Sequence, residues 1–216
     1  LSLAKDMRST FYLRVFRKHL GMYLCGFGAE WLFASIFTYF VIFVLQHDPA
    51  MVAGLNSLNS ILQLISTALF IGLCVKKGFS KPYIMALSIV IFAVLLYTSL
   101  WFFHLPAHLA TILMFGITII FGLGTGGVYY IPWTVYTFLA DVDEIYTGRR
   151  REGIYAGAMT FSGKILRSVI VFVMGAVLSY YGFQSKAHVQ PESAVNAIAV
   201  VFCGGVALLA LAAVVF

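Results

Sequence analysis

Three charged side chains interrupt otherwise apolar stretches of this 216-residue chain: Glu30, Lys164 and Arg167. A charge inside an apolar span is costly, so each is by default a candidate for solute or ion handling. Glu30 stands in Gly26-Phe27-Gly28-Ala29-Glu30-Trp31, near the middle of its stretch. Lys164 follows Glu152 by twelve residues, which is roughly 18 Å of helix and about halfway across a hydrocarbon core of roughly 30 Å. From there it reaches neither surface easily, so it calls for a carboxylate partner, a wet cavity or loss of its proton. A structural ion pair with another helix is the competing reading for Lys164, and it applies equally to Arg167, one turn deeper.

A helix through this stretch aligns Glu152, Ala156, Thr160 and Lys164, with Arg167 or Ser168 continuing the row. Small neighbours leave room beside Thr160 and Lys164 for water or a polyhydroxylated solute. Gly153 and Gly157 form a Gly-x-x-x-Gly pair, which reads as close helix packing. Upstream, Gly122-Leu123-Gly124-Thr125-Gly126-Gly127 precedes Tyr129, Tyr130, Pro132 and Trp133. No Gly-Lys-Ser/Thr follows, which argues against a phosphate loop. Glycines and a proline within a span instead predict a bend that opens a cavity or permits gating. Tyr129, Tyr130 and Trp133 have rings to stack on a sugar and polar atoms to hydrogen-bond it, although each taken singly is better explained by helix packing. Asn56, Asn59 and Gln63 are polar companions for Glu30, either in a cation path or as interhelical hydrogen-bonding groups. His47, His104, His108 and His188 fall in or beside connectors without ligand-like spacing. Cys25, Cys74 and Cys203 lie singly in apolar runs, so neither set predicts a metal site or a disulfide. No hydrolase or oxidoreductase constellation stands out, and the expectation is not an enzyme.

Composition dictates the elements that hold these residues. Hydrophobic residues make up 62% of the chain and charged residues 10%, with a mean hydropathy of +0.96. Soluble domains carry about 25% charged residues. So apolar a chain cannot coat its outside with polar groups, and its outside must face lipid. Soluble enzyme, disordered chain and secreted disulfide scaffold are excluded. Six apolar runs of span length follow, roughly Leu20 to Leu45, Met51 to Val75, Pro82 to Phe103, Leu109 to Leu139, Gly153 to Tyr181, and Ala194 to Phe216. None alternates with period two, so the expected class is an all-α membrane protein of six transmembrane helices. The fourth and fifth runs exceed a perpendicular crossing and should tilt or project. No sequence repeat is evident.

The net charge of +6 invites a nucleic-acid reading, yet the basic residues form no single patch. They alternate by connector. Lys5, Arg8, Arg14, Arg17 and Lys18, then Lys76, Lys77 and Lys81, then Arg149, Arg150 and Arg151 make eleven on one side, against Lys186 alone on the other. This bias puts both ends in the cytoplasm and predicts no nucleic-acid partner. Residues 1–18 form a basic, amphipathic connector without a signal-peptide cleavage pattern, suited to a surface helix or to a solvated linker. Residues 19–216 form the bundle. A start at Leu1 and a stop inside an apolar run suggest a piece of something larger.

The stretch from Ile131-Pro132-Trp133 through Asp141, Asp143 and Glu144, Thr147-Gly148-Arg149-Arg150-Arg151-Glu152-Gly153 and on to Phe161-Ser162-Gly163-Lys164 resembles the glycoside–pentoside–hexuronide:cation symporters. These are the melibiose-permease branch of the major facilitator superfamily. The opening Ser2-Leu3-Ala4-Lys5-Asp6 is similar to that family's central cytoplasmic connector. The resemblance implies the C-terminal half-bundle, helices seven to twelve of a twelve-helix carrier in a bacterial inner membrane. It also implies symport of a sugar or glycoside with Na⁺ or H⁺ by alternating access. No other cofactor is expected, and the N-terminal six-helix half would hold most of the cation site. Lys164 matches the family's eleventh-helix lysine near the cation and sugar sites, and Thr160 matches a cavity threonine one turn before it. Tyr129 falls where the family has a sugar-contacting tryptophan. Phe138 stands where an aspartate is frequent, so the gating contacts depart from the pattern. Asp141, Asp143 and Glu144 still supply an acidic loop beside Arg149, Arg150 and Arg151. The implied solute site is Tyr129, Tyr130, Trp133, Thr160 and Lys164, with Glu30, Lys164, Arg167 and that loop in coupling and gating. A sodium-coupled lysolipid carrier of the same fold and a non-transporting six-helix sensor or assembly module are the alternatives.

Overall fold

The computed structural model describes residues 10–103, 105–148, 151–185, 187 and 189–216, without the side chains of Tyr146 and Thr147. Regular structure among them is helical throughout. Helix α1 comprises Arg14–Tyr39 and continues through a π-helical turn at Phe40–Val44; α2 is Pro49–Lys77, α3 Ser80–Phe103, α4 Ala107–Thr147 and α5 Glu152–Tyr180. The rod α6 joins Glu192–Val200, a π-helical turn at Val201–Gly205, and Val206–Val215. All six are long and apolar enough to cross a bilayer, giving the expected six-helix, all-α membrane bundle.

Two helices outrun their apolar patterns. Helix α1 begins at Arg14, ahead of Leu20, and α4 continues past Leu139 to Thr147. Hydropathy marks only what hydrocarbon demands, and a helix extends into water without it. At 41 residues, α4 is about 60 Å long, twice a bilayer core. It stops at Gly148, whose φ of +67° turns the chain while its N–H donates to the Glu144 carbonyl. Pro49 opens α2, and Lys76 and Lys77 meet the negative end of its dipole.

The packing exchanges partners between two triples of helices. Helix α4 lies against α2 and α3, whereas α1 lies against α5 and α6, and α1 and α4 meet at the centre. Each triple therefore contributes its first helix to the other triple's packing, and α3 also touches α6. The glycines of α4 set how closely it packs. A Cβ on Gly122 would sit 2.7 Å from Leu62 Cβ, and one on Gly126 would sit 2.6 Å from the Thr67 backbone nitrogen, both on α2. On the other face, a Cβ on Gly127 would sit 2.6 Å from Ala86 Cβ of α3. The Ser66 hydroxyl donates to the Leu123 carbonyl across the α2–α4 seam. The glycine run therefore serves two-sided packing, α4 stays helical through Pro132, and the space expected there is filled. Conversely, Gly153 and Gly157 meet nothing within 4 Å, so the close packing expected of that pair is not made among the described residues.

Burial is uneven. In their most apolar windows α2 and α5 are 17% buried, against 56% for α1. Each of the two packs along one edge and leaves a broad face uncovered.

Candidate functional site

Helices α1, α4 and α5 converge around aromatic rows spaced by four residues. Tyr23, Phe27 and Trp31 run along α1, and Tyr129 and Trp133 along α4. Tyr23 meets Trp133 with ring centroids 5.8 Å apart, Phe27 meets Tyr129 at 4.8 Å, and Phe33 stacks on Phe121 at 3.8 Å. These pairs fix α1 and α4 as antiparallel. Helix α5 runs alongside α1 in the same direction, with Tyr155 against Phe16 at 5.0 Å and Leu166 against Gly28. Gly163 is pinched in this seam, since a Cβ there would lie 2.8 Å from the Tyr23 hydroxyl and 2.9 Å from the Trp31 ring. The combined register puts Arg167 at the depth of Glu30, and Lys164 about one turn away at the depth of Phe27 and Tyr129.

Glu30 is 7% exposed, and its Oε1 is buried without a hydrogen-bond partner among the described residues. Tyr129 lies within electrostatic reach of Glu30, Arg167 and Tyr23. Three helices thus place an acid, a phenol and a guanidinium at one level, with no hydrogen bond or ion pair joining them among the described residues. The amides expected beside Glu30 are elsewhere: α2 stands against α4, and the Asn59 Oδ1, which has no hydrogen-bond partner among the described residues, faces Gly122.

On α5 the expected row is half-buried at Glu152 and Ala156 and uncovered from Thr160 onward. Thr160, Lys164, Arg167 and Ser168 are all exposed, and the last three line an open recess of about 690 Å³ with Val171 and Phe172. Among the described residues no carboxylate lies within ion-pair distance of Lys164, so the structural-pair reading finds no support inside the bundle. The aromatics divide. Tyr129 is 37% exposed, Trp133 is partly buried against Tyr23 and Tyr136, and Tyr130 packs against the larger core. Another cavity, about 580 Å³ between α1, α5 and α6, is lined by Leu32, Val173, Met174 and Leu208 among others and holds none of the expected residues.

The acidic connector contains a built ion pair. Arg151 grips Asp143 with two bonds of 2.7 Å, Nε to Oδ2 and Nη2 to Oδ1, and the Asp143 side chain is fully buried. This fork ties the end of α4 to the start of α5, directly above Tyr155. Asp141 and Glu144 are exposed, and Arg149 and Arg150 lie outside the described residues. No group of three or more His, Cys, Asp or Glu suited to a metal occurs among the described residues.

Two features escaped the sequence reading. The Tyr23–Phe27–Trp31 row was legible in its four-residue spacing but carries no charge to draw attention. His19, buried near the Pro132 carbonyl, looks in the sequence like one more basic residue of the connector.

The family model for MFS/sugar transport proteins matches residues 1–216. An uncharacterised symporter of Synechocystis is 31% identical over 209 residues, covering 92% of this chain and 36% of that protein. The putative glycoside/cation symporter YagG of Escherichia coli is 27% identical over 168 residues, covering 76% of this chain and 34% of its own length. The chain therefore spans about a third of the length of these relatives.

Proposed function

The chain belongs to the MFS/sugar transport protein family, a class of transporters and not of enzymes, and from that premise we propose that it is the C-terminal six-helix half of a cation-coupled sugar or glycoside symporter of the glycoside–pentoside–hexuronide type. The observation that carries this reading is the uncovered polar face of α5. Thr160, Lys164, Arg167 and Ser168 stand exposed along one side of an apolar helix. Hydrocarbon does not tolerate such a row, so it borders a wet cleft shared with a second, N-terminal bundle. The relatives' lengths and names support the same reading.

In this reading the solute sits near the midplane between the halves. Lys164 and Thr160 hydrogen-bond its hydroxyls, Tyr129 offers a ring face, and Trp133 and Tyr130 shape the wall from behind. Na⁺ or H⁺ binds mostly to the N-terminal half, and Lys164 conveys the charge state of that site to the solute. Residues 1–18 form the connector between the halves. Both ends lie in the cytoplasm, and the carrier resides in a bacterial inner membrane surrounded by lipid. Asp141, Asp143 and Glu144 with Arg149, Arg150 and Arg151 form a cytoplasmic gate that opens and closes as the halves rock. Replacing Lys164 by Ala in the full-length carrier should abolish gradient-driven accumulation. Unaltered uphill uptake would remove Lys164 from the coupling path.

A further inference from the structure

We infer that Glu30 is a proton-binding site within this bundle, reached from the cleft through Tyr129 and opposed by Arg167 at the same depth. The inference rests on the carrier reading above and adds a coupling ion and a location in this half.

Glu30 sits between two aromatic layers. Beyond it the bundle is closed by Phe33 on Phe121 at 3.8 Å, Phe33 on Phe37 at 4.7 Å, and Phe40 on Phe202 at 4.2 Å. Before it lies Phe27, backed by Tyr129. Water cannot approach through stacked phenyl rings, so the open direction is the one Tyr129 borders. That phenol both donates and accepts, and its side chain is 37% exposed. A carboxyl group here packs no better than an apolar side chain would, and an oxygen buried without a donor is costly.

The surroundings suit a proton better than a metal cation. A hard cation needs a shell of several oxygens. Helix α1 is regular from Arg14 through Tyr39, so its carbonyls are engaged in helical hydrogen bonds. The ionisable groups facing this level are few: Tyr23 and Cys25 on α1, Tyr83 on α3, Tyr129 on α4, and Lys164 and Arg167 on α5. The charged residues of α2 and α6 are Lys76, Lys77 and Glu192, all at helix ends. No second carboxylate joins Glu30 there. On loading, a hydronium proton from the cleft passes the side that Tyr129 borders and adds to a Glu30 oxygen, leaving water behind. On unloading, the same transfer runs backwards, so the net change is one proton between Glu30 and the cleft. Solute binding or helix movement that brings the Arg167 guanidinium nearer to Glu30, or takes it away, changes which form is held.

The test uses the purified full-length carrier with Glu30→Gln, Glu30→Asp and Tyr129→Phe. Infrared difference spectra between acid and alkaline buffer should show a carboxylic-acid carbonyl band in the wild type that Glu30→Gln lacks. In proteoliposomes, pH-driven accumulation relative to solute exchange should collapse in Glu30→Gln, and proton exchange should slow in Tyr129→Phe. A band that persists in Glu30→Gln, or undiminished pH-driven accumulation, would overturn the inference. If Glu30→Gln does not fold, an unchanged titration of the band in Glu30→Asp would overturn it equally. Should the band vanish as expected while the wild type moves no sugar in any gradient, the proton site stands and the sugar reading falls.

Discussion

Gly126→Ala should loosen the α2–α4 seam by an amount the geometry allows one to estimate. The added methyl would stand 2.6 Å from the Thr67 backbone nitrogen and 2.7 and 2.8 Å from Ser66 Cβ and Oγ, where ordinary contact begins at 3.4 Å. The nearest atom is backbone, so the helices must part by most of an ångström. Overpacking of this kind costs about 1–3 kcal/mol, and the stretched Ser66–Leu123 hydrogen bond costs about 1 kcal/mol more. Alanine's better helix propensity returns about 1 kcal/mol. The net expectation is a loss of about 1–3 kcal/mol. The assay is the thermal midpoint of the full-length carrier, followed by monodispersity after heating. Gly116→Ala is the control on the same helix, because nothing lies within 4 Å of a Cβ there; it should be neutral or slightly stabilising. A Gly126→Ala carrier as stable as wild type, or an equal fall in Gly116→Ala, would refute the packing role of the glycine run.

Arg151→Ala removes both bonds of the fork from the fully buried Asp143 carboxylate, and should cost about 3 kcal/mol locally, seen as faster proteolysis of the connector between α4 and α5. Asp143→Asn combined with Arg151→Ala should recover part of that loss, because the two act as one unit. In a cysteine-free background, Thr160→Cys should react with a membrane-impermeant thiol reagent, and Met159→Cys, buried in the cluster that α5 forms with α1, should not. A Thr160→Cys carrier that the reagent leaves unlabelled would mean that the uncovered face of α5 borders no wet cleft.

What could be read in advance follows the physics of each scale. Hydrocarbon imposes apolarity over a fixed length, so six spans were legible to within a few residues except where α1 and α4 leave it. Charge in an apolar run is costly enough to stand out, which is why Glu30, Lys164 and Arg167 drew attention from their types alone. Which helix faces which is not encoded in hydropathy, because lipid and protein interior are equally apolar. For that reason the amides of α2 were paired with Glu30, whereas α2 packs on α4. The same blindness made the α4 glycines look like a hinge. Only a partner helix at contact distance distinguishes a glycine that bends from one that admits a neighbour, and Gly122, Gly126 and Gly127 admit neighbours on two sides.

The most direct test of the account is uptake by the full-length carrier across a panel of sugars, glycosides and lysolipids, with Na⁺ and H⁺ gradients imposed separately, in wild type and Lys164→Ala. A sugar or glycoside should accumulate uphill in wild type under one of these gradients, and the accumulation should disappear in Lys164→Ala. Gradient-independent behaviour, lysolipid movement without sugar movement, or full uphill uptake in Lys164→Ala would contradict it.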